Sequence, residues 1–215
     1  MVESLAMASP GSTLKRVAVL GGTFDPVHYG HLAAAELVAD QYELDRVIFL
    51  PNRLPPHKPG HQISPPEDRY LMTVLATNSN PRFTVSRLEL EREGPSYTLD
   101  TLRSLRAELG PECAVYFIIG ADAVLEIATW HGAEAVLREG RFIAVHRPGY
   151  DLARLSSVIG PAGMAHIEPL ALPELDISST GLRERVAAGQ SIRYLTPEAV
   201  VDYISRRGLY QAGAG

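Results

Sequence analysis

Short apolar runs and longer amphipathic stretches alternate along this chain. From Lys15 it reads Arg16-Val17-Ala18-Val19-Leu20, a β-branched run ended by Gly21-Gly22; it turns through Asp25-Pro26 and takes up helical spacing from Tyr29 to Gln41. A second buried strand is predicted over Arg46 to Pro51, leading into a proline-rich loop, Pro51 to Pro66. A helix follows from Pro66 to Asn78, with Ser64 as its expected cap. Further strands are predicted at Arg82–Leu88, Ala114–Ile119, Arg141–His146 and Ala165–Glu168, separated by helical stretches at Thr98–Leu109 and Ala123–Leu137. Two last helices are expected, Ser179–Ala188 and Thr196–Arg206, the second opening Thr196-Pro197-Glu198 in the order cap, proline, acid. Such alternation predicts an α/β fold: a doubly wound parallel sheet with helices on both faces and a small C-terminal helical part. In sheets of this kind ligands bind beyond the carboxyl ends of the strands. Gly21-Gly22, Pro51-Asn52 and Gly120-Ala121-Asp122 all fall there.

Composition narrows the classes. With 215 residues, 46% of them hydrophobic, residues 15–215 are expected to form one domain behind a flexible extension, Met1–Leu14. The single cysteine, Cys113, permits neither an internal disulfide nor a thiolate cluster for zinc. There is no signal-like start and no window of the roughly 18 to 20 apolar residues that a membrane span needs, so a cytoplasmic location without membrane contact is expected. The net charge of −5 argues against nucleic acid as a partner, while leaving room for a locally positive pocket. Oligomeric state is not legible, and a homo-oligomer stays open.

The chemistry concentrates in Gly21-Gly22-Thr23-Phe24-Asp25-Pro26-Val27-His28-Tyr29-Gly30-His31, between the first strand and the first helix. Glycines let a backbone approach a ligand closely, and a helix N-terminus offers unpaired N–H groups to an anion. His28 and His31, three apart, share a face and can reach one phosphorus centre, while Gly30 leaves room for a flat base. Two plainer readings compete: a structural turn with locally packed histidines, and a zinc site, for which no third ligand stands at suitable spacing.

These eleven residues resemble the signature of the class I nucleotidylyltransferase superfamily, whose members have a Rossmann-like fold and an H-x-G-H element. Five further stretches are similar to the bacterial nicotinate-nucleotide adenylyltransferase family: Phe49-Leu50-Pro51-Asn52 with Pro55-Pro56-His57-Lys58; Ser96 to Leu102; Phe117 to Asp122; Thr129-Trp130-His131; and Ile177-Ser178-Ser179-Thr180. The likeness runs from Arg16 to Tyr210, with Ser96 where the family more often has threonine and Leu182 where isoleucine is commoner.

The resemblance implies adenylyl transfer from ATP to nicotinate mononucleotide, a step of NAD biosynthesis that yields nicotinate adenine dinucleotide and pyrophosphate. It assigns ATP to Gly21, Gly22, Thr23, Phe24, His28, Gly30, His31, Gly120, Asp122, Ile177, Ser178, Ser179, Thr180 and Arg183. It assigns the mononucleotide to Asp25, Lys58, Tyr97, Thr98, Trp130 and His131, and catalysis to His28, His31, Lys58 and Arg183. Read without it, Lys58 is a solvated lysine, Trp130 a core residue, Thr98 and Asp122 helix caps with Tyr97 an apolar neighbour, and Ser178 to Thr180 an N-cap. Mg²⁺ is expected as cofactor, bound mainly through the ATP phosphates, with no metal site made by the protein. A preference for nicotinamide mononucleotide, or a silent nucleotide binder on the same fold, are the alternatives.

Overall fold

The computed structural model describes residues 14–53, 63–94, 96–146, 152–173 and 175–211. Within them the β-branched runs pair as predicted. Strands β1 (Arg16–Gly22), β2 (Arg46–Pro51), β3 (Phe83–Val85), β4 (Ala114–Gly120), β5 (Phe142–His146) and β6 (Ile167–Ala171) form one parallel sheet in the order β3-β2-β1-β4-β5-β6. The chain winds outward from β1 in one direction and, from β4, in the other, so a crevice opens where β1 and β4 diverge at their carboxyl ends. Register sets its rim: Gly21 lies beside Leu50, Gly22 beside Pro51, and Leu20 beside Ile118.

Side chains of a strand alternate between its two faces, and the core divides accordingly. Val17, Val19, Ile48, Leu50 and Phe117 face α3 (Thr98–Leu109), α4 (Ala121–Leu125), α5 (Ala133–Glu139) and α6 (Leu152–Met164). Ala18, Leu20, Val47, Phe49 and Ile118 face α1 (Tyr29–Gln41), α2 (Pro66–Thr77), α7 (Ser179–Ala187) and α8 (Glu198–Arg207). The last helix is locked to α2 by a nearly buried carboxylate: Asp68 accepts from the Tyr203 hydroxyl at 2.6 Å and from Arg207 Nε at 3.0 Å. Among the described residues no helix is long and apolar enough to cross a membrane.

Several expectations need correction. The stretch Ala123–Leu137 is not one helix: α4 ends at Leu125, a 3₁₀ turn spans Ile127–Thr129, Trp130 is extended, and Gly132 takes a left-handed conformation at φ 67° before α5. The Thr129 hydroxyl closes that turn on the Glu126 carbonyl at 2.7 Å. Strand β3, at the sheet's edge, spans only Phe83–Val85, paired with Val47 to Phe49, and not Arg82–Leu88. The edge strand β6 lies two residues later than expected at its start, and α6, kinked at Gly160 (φ 72°) ahead of Pro161, occupies a stretch whose glycine and proline suggest no element. The capping expectations fail too. Pro65, Tyr97, Gly120 and Pro197 stand at the N-caps of α2, α3, α4 and α8 with no side-chain cap bond; Ser64, Thr98, Asp122 and Thr196 do not serve there. Ser178 does cap α7, accepting from the Gly181 N–H at 3.1 Å.

Core burial should dominate stability. Leu105→Ala on α3, fully buried, is expected to cost about 2–5 kcal/mol, whereas Leu75→Ala on α2, 39% exposed, should stay within about 0.5 kcal/mol; denaturant unfolding of both variants checks the contrast.

Candidate active site

Between Gly22 and Tyr29 the chain has neither ladder nor helix to satisfy its peptide groups, which must therefore find partners elsewhere. Four carbonyls do so through side chains from distant elements. The Thr23 carbonyl accepts from Arg69 Nη1 at 2.8 Å, that of Asp25 from Arg183 Nη1 at 2.8 Å, that of Pro26 from the Ser179 hydroxyl at 2.9 Å, and that of Val27 from the Thr196 hydroxyl at 2.8 Å. The Tyr29 N–H, in turn, donates to the Leu195 carbonyl. Thus α2, α7 and the segment between α7 and α8 build the turn as much as β1 and α1 do.

Two residues expected at the substrates stand off the cavity wall in this arrangement. Asp25, expected at the mononucleotide, is 3% exposed, and its carboxylate instead accepts from the Tyr210 hydroxyl at 2.6 Å and the Ser64 N–H at 3.3 Å. Burial and the facing Asp25 carboxylate push the Tyr210 hydroxyl well above its ordinary range. Phe24, expected at ATP, is buried and stands edge-on to the His31 ring at 5.1 Å, supporting the imidazole from beneath. A Cβ on Gly22 would come within 2.9 Å of the Phe24 ring, so Phe24 packing is what requires glycine there.

His28 and His31 stack at 3.7 Å between ring centroids. The His28 main-chain N–H donates to His31 Nδ1 at 3.2 Å, which makes His31 Nε2 the proton-bearing nitrogen of the neutral ring. Burial lowers the His28 pKa to about 4; burial, reinforced by the neighbouring His28, lowers that of His31 to about 3. Both are neutral donors at pH 7. His28 Nδ1 is buried without a partner, and a Cβ on Gly30 would lie 3.0 Å from it. The space that Gly30 leaves is therefore taken by the His28 ring.

The turn and both histidines line a cavity of about 940 Å³, together with Gly21, Gly22, Thr23, Gly30, Gly120 and Ile177. Its far half carries Tyr97, Thr98, Trp130 and His131, with the Tyr97 and His131 rings stacked at 4.3 Å. The left-handed Gly132 ends the break in the helix that brings Trp130 to this wall, and a Cβ there would press within 3.0 Å of Leu99. A smaller cavity of about 290 Å³ adjoins along Gly30, Ala34 and Gly120 and is bordered by Asp122. Ser178, Ser179, Thr180 and Arg183 stand behind the turn rather than on either cavity wall; Arg183 also donates to the Thr180 hydroxyl at 3.2 Å. Lys58 lies outside the described residues. The lining also includes Asn52, Glu89 and Glu126, to which no role was expected. Burial raises the Glu89 carboxyl above its usual range, opposed by the Thr101 hydroxyl, which donates to it at 2.8 Å, and by Arg92. Nothing local in the sequence marks Glu89, which falls just beyond the predicted strand Arg82–Leu88. Among the described residues no group of three or more His, Cys, Asp or Glu could hold a metal ion.

Comparison with known proteins agrees with this geometry. The family model described as cytidylyltransferase-like matches residues 19–185. A protein of Moorella thermoacetica named "Probable nicotinate-nucleotide adenylyltransferase" is 51% identical over 199 residues, covering 91% of this chain and 92% of that one. One of the same name from Saccharopolyspora erythraea is 50% identical, covering 93% and 92%. The solved structure of Plasmodium falciparum nicotinic acid mononucleotide adenylyltransferase complexed with NaAD superposes with a TM-score of 0.73 over 91% of this chain and 97% of that one; at 22% identity this likeness speaks for the fold.

Buried His28 and half-buried His31 give the fold a pH dependence of definite sign. Unfolded, each binds a proton near the ordinary value of 6.5; folded, they resist until about 4 and 3. Their contribution is complete above pH 6.5 and is lost as pH falls through that window, because the unfolded chain then holds the extra protons. Thermal unfolding midpoints of the wild type should therefore drop between pH 6.5 and 4, and more steeply than those of His31→Asn, which carries one such group fewer. Parallel slopes would contradict the neutral state of His31.

Proposed function

The chain belongs to the cytidylyltransferase-like family and, within it, to the nicotinate-nucleotide adenylyltransferases, and on that premise we propose that it transfers the adenylyl group of ATP to nicotinate mononucleotide. The observation that carries this reading is one cavity, about 940 Å³, with a glycine turn and two neutral imidazoles at one end and an aromatic wall at the other. It has room for a triphosphate end and a flat pyridine ring together.

In the reaction an oxygen of the mononucleotide 5′-phosphate attacks the α-phosphorus of ATP, a new P–O bond forms, the bond from the α-phosphorus to the bridging oxygen breaks, and pyrophosphate leaves with that oxygen and its electron pair. The attacking phosphate has a second pKa of about 6 and is largely dianionic at neutral pH, so no strong base is required. Holding two mutually repelling anions in line is the main task. His31, whose proton lies on Nε2, and His28 are assigned to donate to the α-phosphate oxygens as charge builds there. Being uncharged at neutral pH when free, they gain proton affinity as phosphates enter, so their donation strengthens with anion binding.

Main-chain N–H groups of the glycine turn and that of Gly30 in the first turn of α1 are assigned to the ATP phosphates, with Ser178 to Thr180, Arg183 and Lys58 completing that end. Arg183 would reach the phosphates from behind the turn whose carbonyl it holds. The smaller cavity beside Gly30 and Asp122 is assigned to the nucleoside part of ATP. Trp130 and Tyr97 would flank the pyridine ring, Thr98 would meet the mononucleotide, and the main chain at His131 and Gly132 would receive the nicotinate carboxylate. Asp25 serves by shaping the turn from within. Mg²⁺, carried on the ATP phosphates and water, would supply charge neutralisation for the leaving pyrophosphate; a wall of neutral imidazoles and main chain suits a cation that arrives with its ligand.

Pyrophosphate release from Mg-ATP should be markedly faster with nicotinate mononucleotide than with nicotinamide mononucleotide at matched concentrations; the reverse preference would keep the chemistry and replace the acceptor, and no release with either would leave a silent binder. His31→Ala should lower kcat about 10²–10³-fold while KM for ATP changes only a few-fold, since the interaction strengthens in the transition state. A large rise in KM at unchanged kcat would assign His31 to ground-state binding instead.

A further inference from the structure

We propose that Arg69 is a positioning residue that holds the phosphate half and the mononucleotide half of the site in reacting alignment, a role that rests on the adenylyl-transfer reading above. Arg69 lies on α2 and is 0% exposed, the largest of the fully buried side chains. Its guanidinium donates through Nη1 to the Thr23 carbonyl at 2.8 Å, through Nη2 to the Arg53 carbonyl at 3.1 Å and through Nε to the Ser64 carbonyl at 3.1 Å, with Asn52 Oδ1 at 3.5 Å. One planar fork thus ties the glycine turn, the exit of β2 and the entrance of α2. Thr23 and Asn52 are cavity walls.

The tie continues. Arg53 Nη1 donates to the Arg92 carbonyl at 2.9 Å, Arg92 Nη1 to the Thr101 hydroxyl at 3.1 Å, and that hydroxyl to Glu89, which lines the cavity beside Tyr97 and Thr98. Asp25, acting through space, opposes the loss of charge that burial favours at Arg69. A buried cation among carbonyls is a poor way to gain stability compared with an apolar side chain of the same volume, whereas its rigid fork fixes three directions at once, which a lysine ammonium does not. Two substrates that must meet in line make such fixing consequential.

Arg69→Lys keeps the charge and loses the fork. With saturating Mg-ATP and nicotinate mononucleotide its kcat should fall about 30- to 100-fold, alike for the forward and pyrophosphorolysis directions, because misplacement of the order of 1 Å costs about 10²-fold. The dissociation constant of each substrate, measured alone by calorimetry, should stay within about threefold of wild type. Arg53→Ala, at an exposed position, cuts the relay without emptying a buried site and should lower kcat about fivefold with a wild-type unfolding midpoint; it decides the matter if Arg69→Lys does not fold. Wild-type kcat in both variants overturns the proposal, as does a loss expressed in KM alone or one equal to the unfolded fraction. A wild-type protein that releases no pyrophosphate removes the underlying reading instead, a failure visible before any substitution is made.

Discussion

Peptide groups that leave regular structure must still be hydrogen-bonded, and the turn between β1 and α1 meets that requirement through side chains from far along the chain. Arg69, Arg183, Ser179 and Thr196 each satisfy one of its carbonyls, and Tyr210 holds the Asp25 carboxylate. The shape of the glycine turn therefore depends on α2, α7 and the segments that flank α8. Asp68, gripping Tyr203 and Arg207, fastens α8 to α2 and so acts on the turn from a distance.

Burial then sets the electrostatics. Stacked at 3.7 Å and withdrawn from water, His28 and His31 remain uncharged where exposed histidines would be partly protonated. The His31 ring is held in place by a main-chain bond and by the Phe24 ring, so the proposed reaction would need little reorganisation of its N–H group. A protein of net charge −5 can present a site for anions in this way, through oriented dipoles and a few arginines rather than through a broad basic surface.

The two ends of the cavity obey different rules. The glycine-turn end is main chain and short side chains pinned by many hydrogen bonds, while the other end is flat rings and a broken helix, where Trp130 gains its place because Gly132 adopts a conformation that other residues resist. Between them the diverging strands β1 and β4 supply the crevice, and register decides which residues stand on its rim.

The sequence by itself determined the parallel sheet with helices on both faces, and the strand, glycine turn and helix that carry His28 and His31. Those features follow from periodicity and residue type within a few positions, which is the range over which backbone preferences and alternation act. It also brought Tyr97, Thr98, Trp130 and His131 into view, through a family likeness. The helix break at Trp130, the withdrawal of Asp25 and Phe24 from the cavity, and the work of Arg69, Glu89 and Tyr210 were decided by tertiary structure. Each depends on which carbonyl or carboxylate arrives beside a side chain after packing, at separations of up to 185 residues between Asp25 and Tyr210, and no local pattern encodes that meeting.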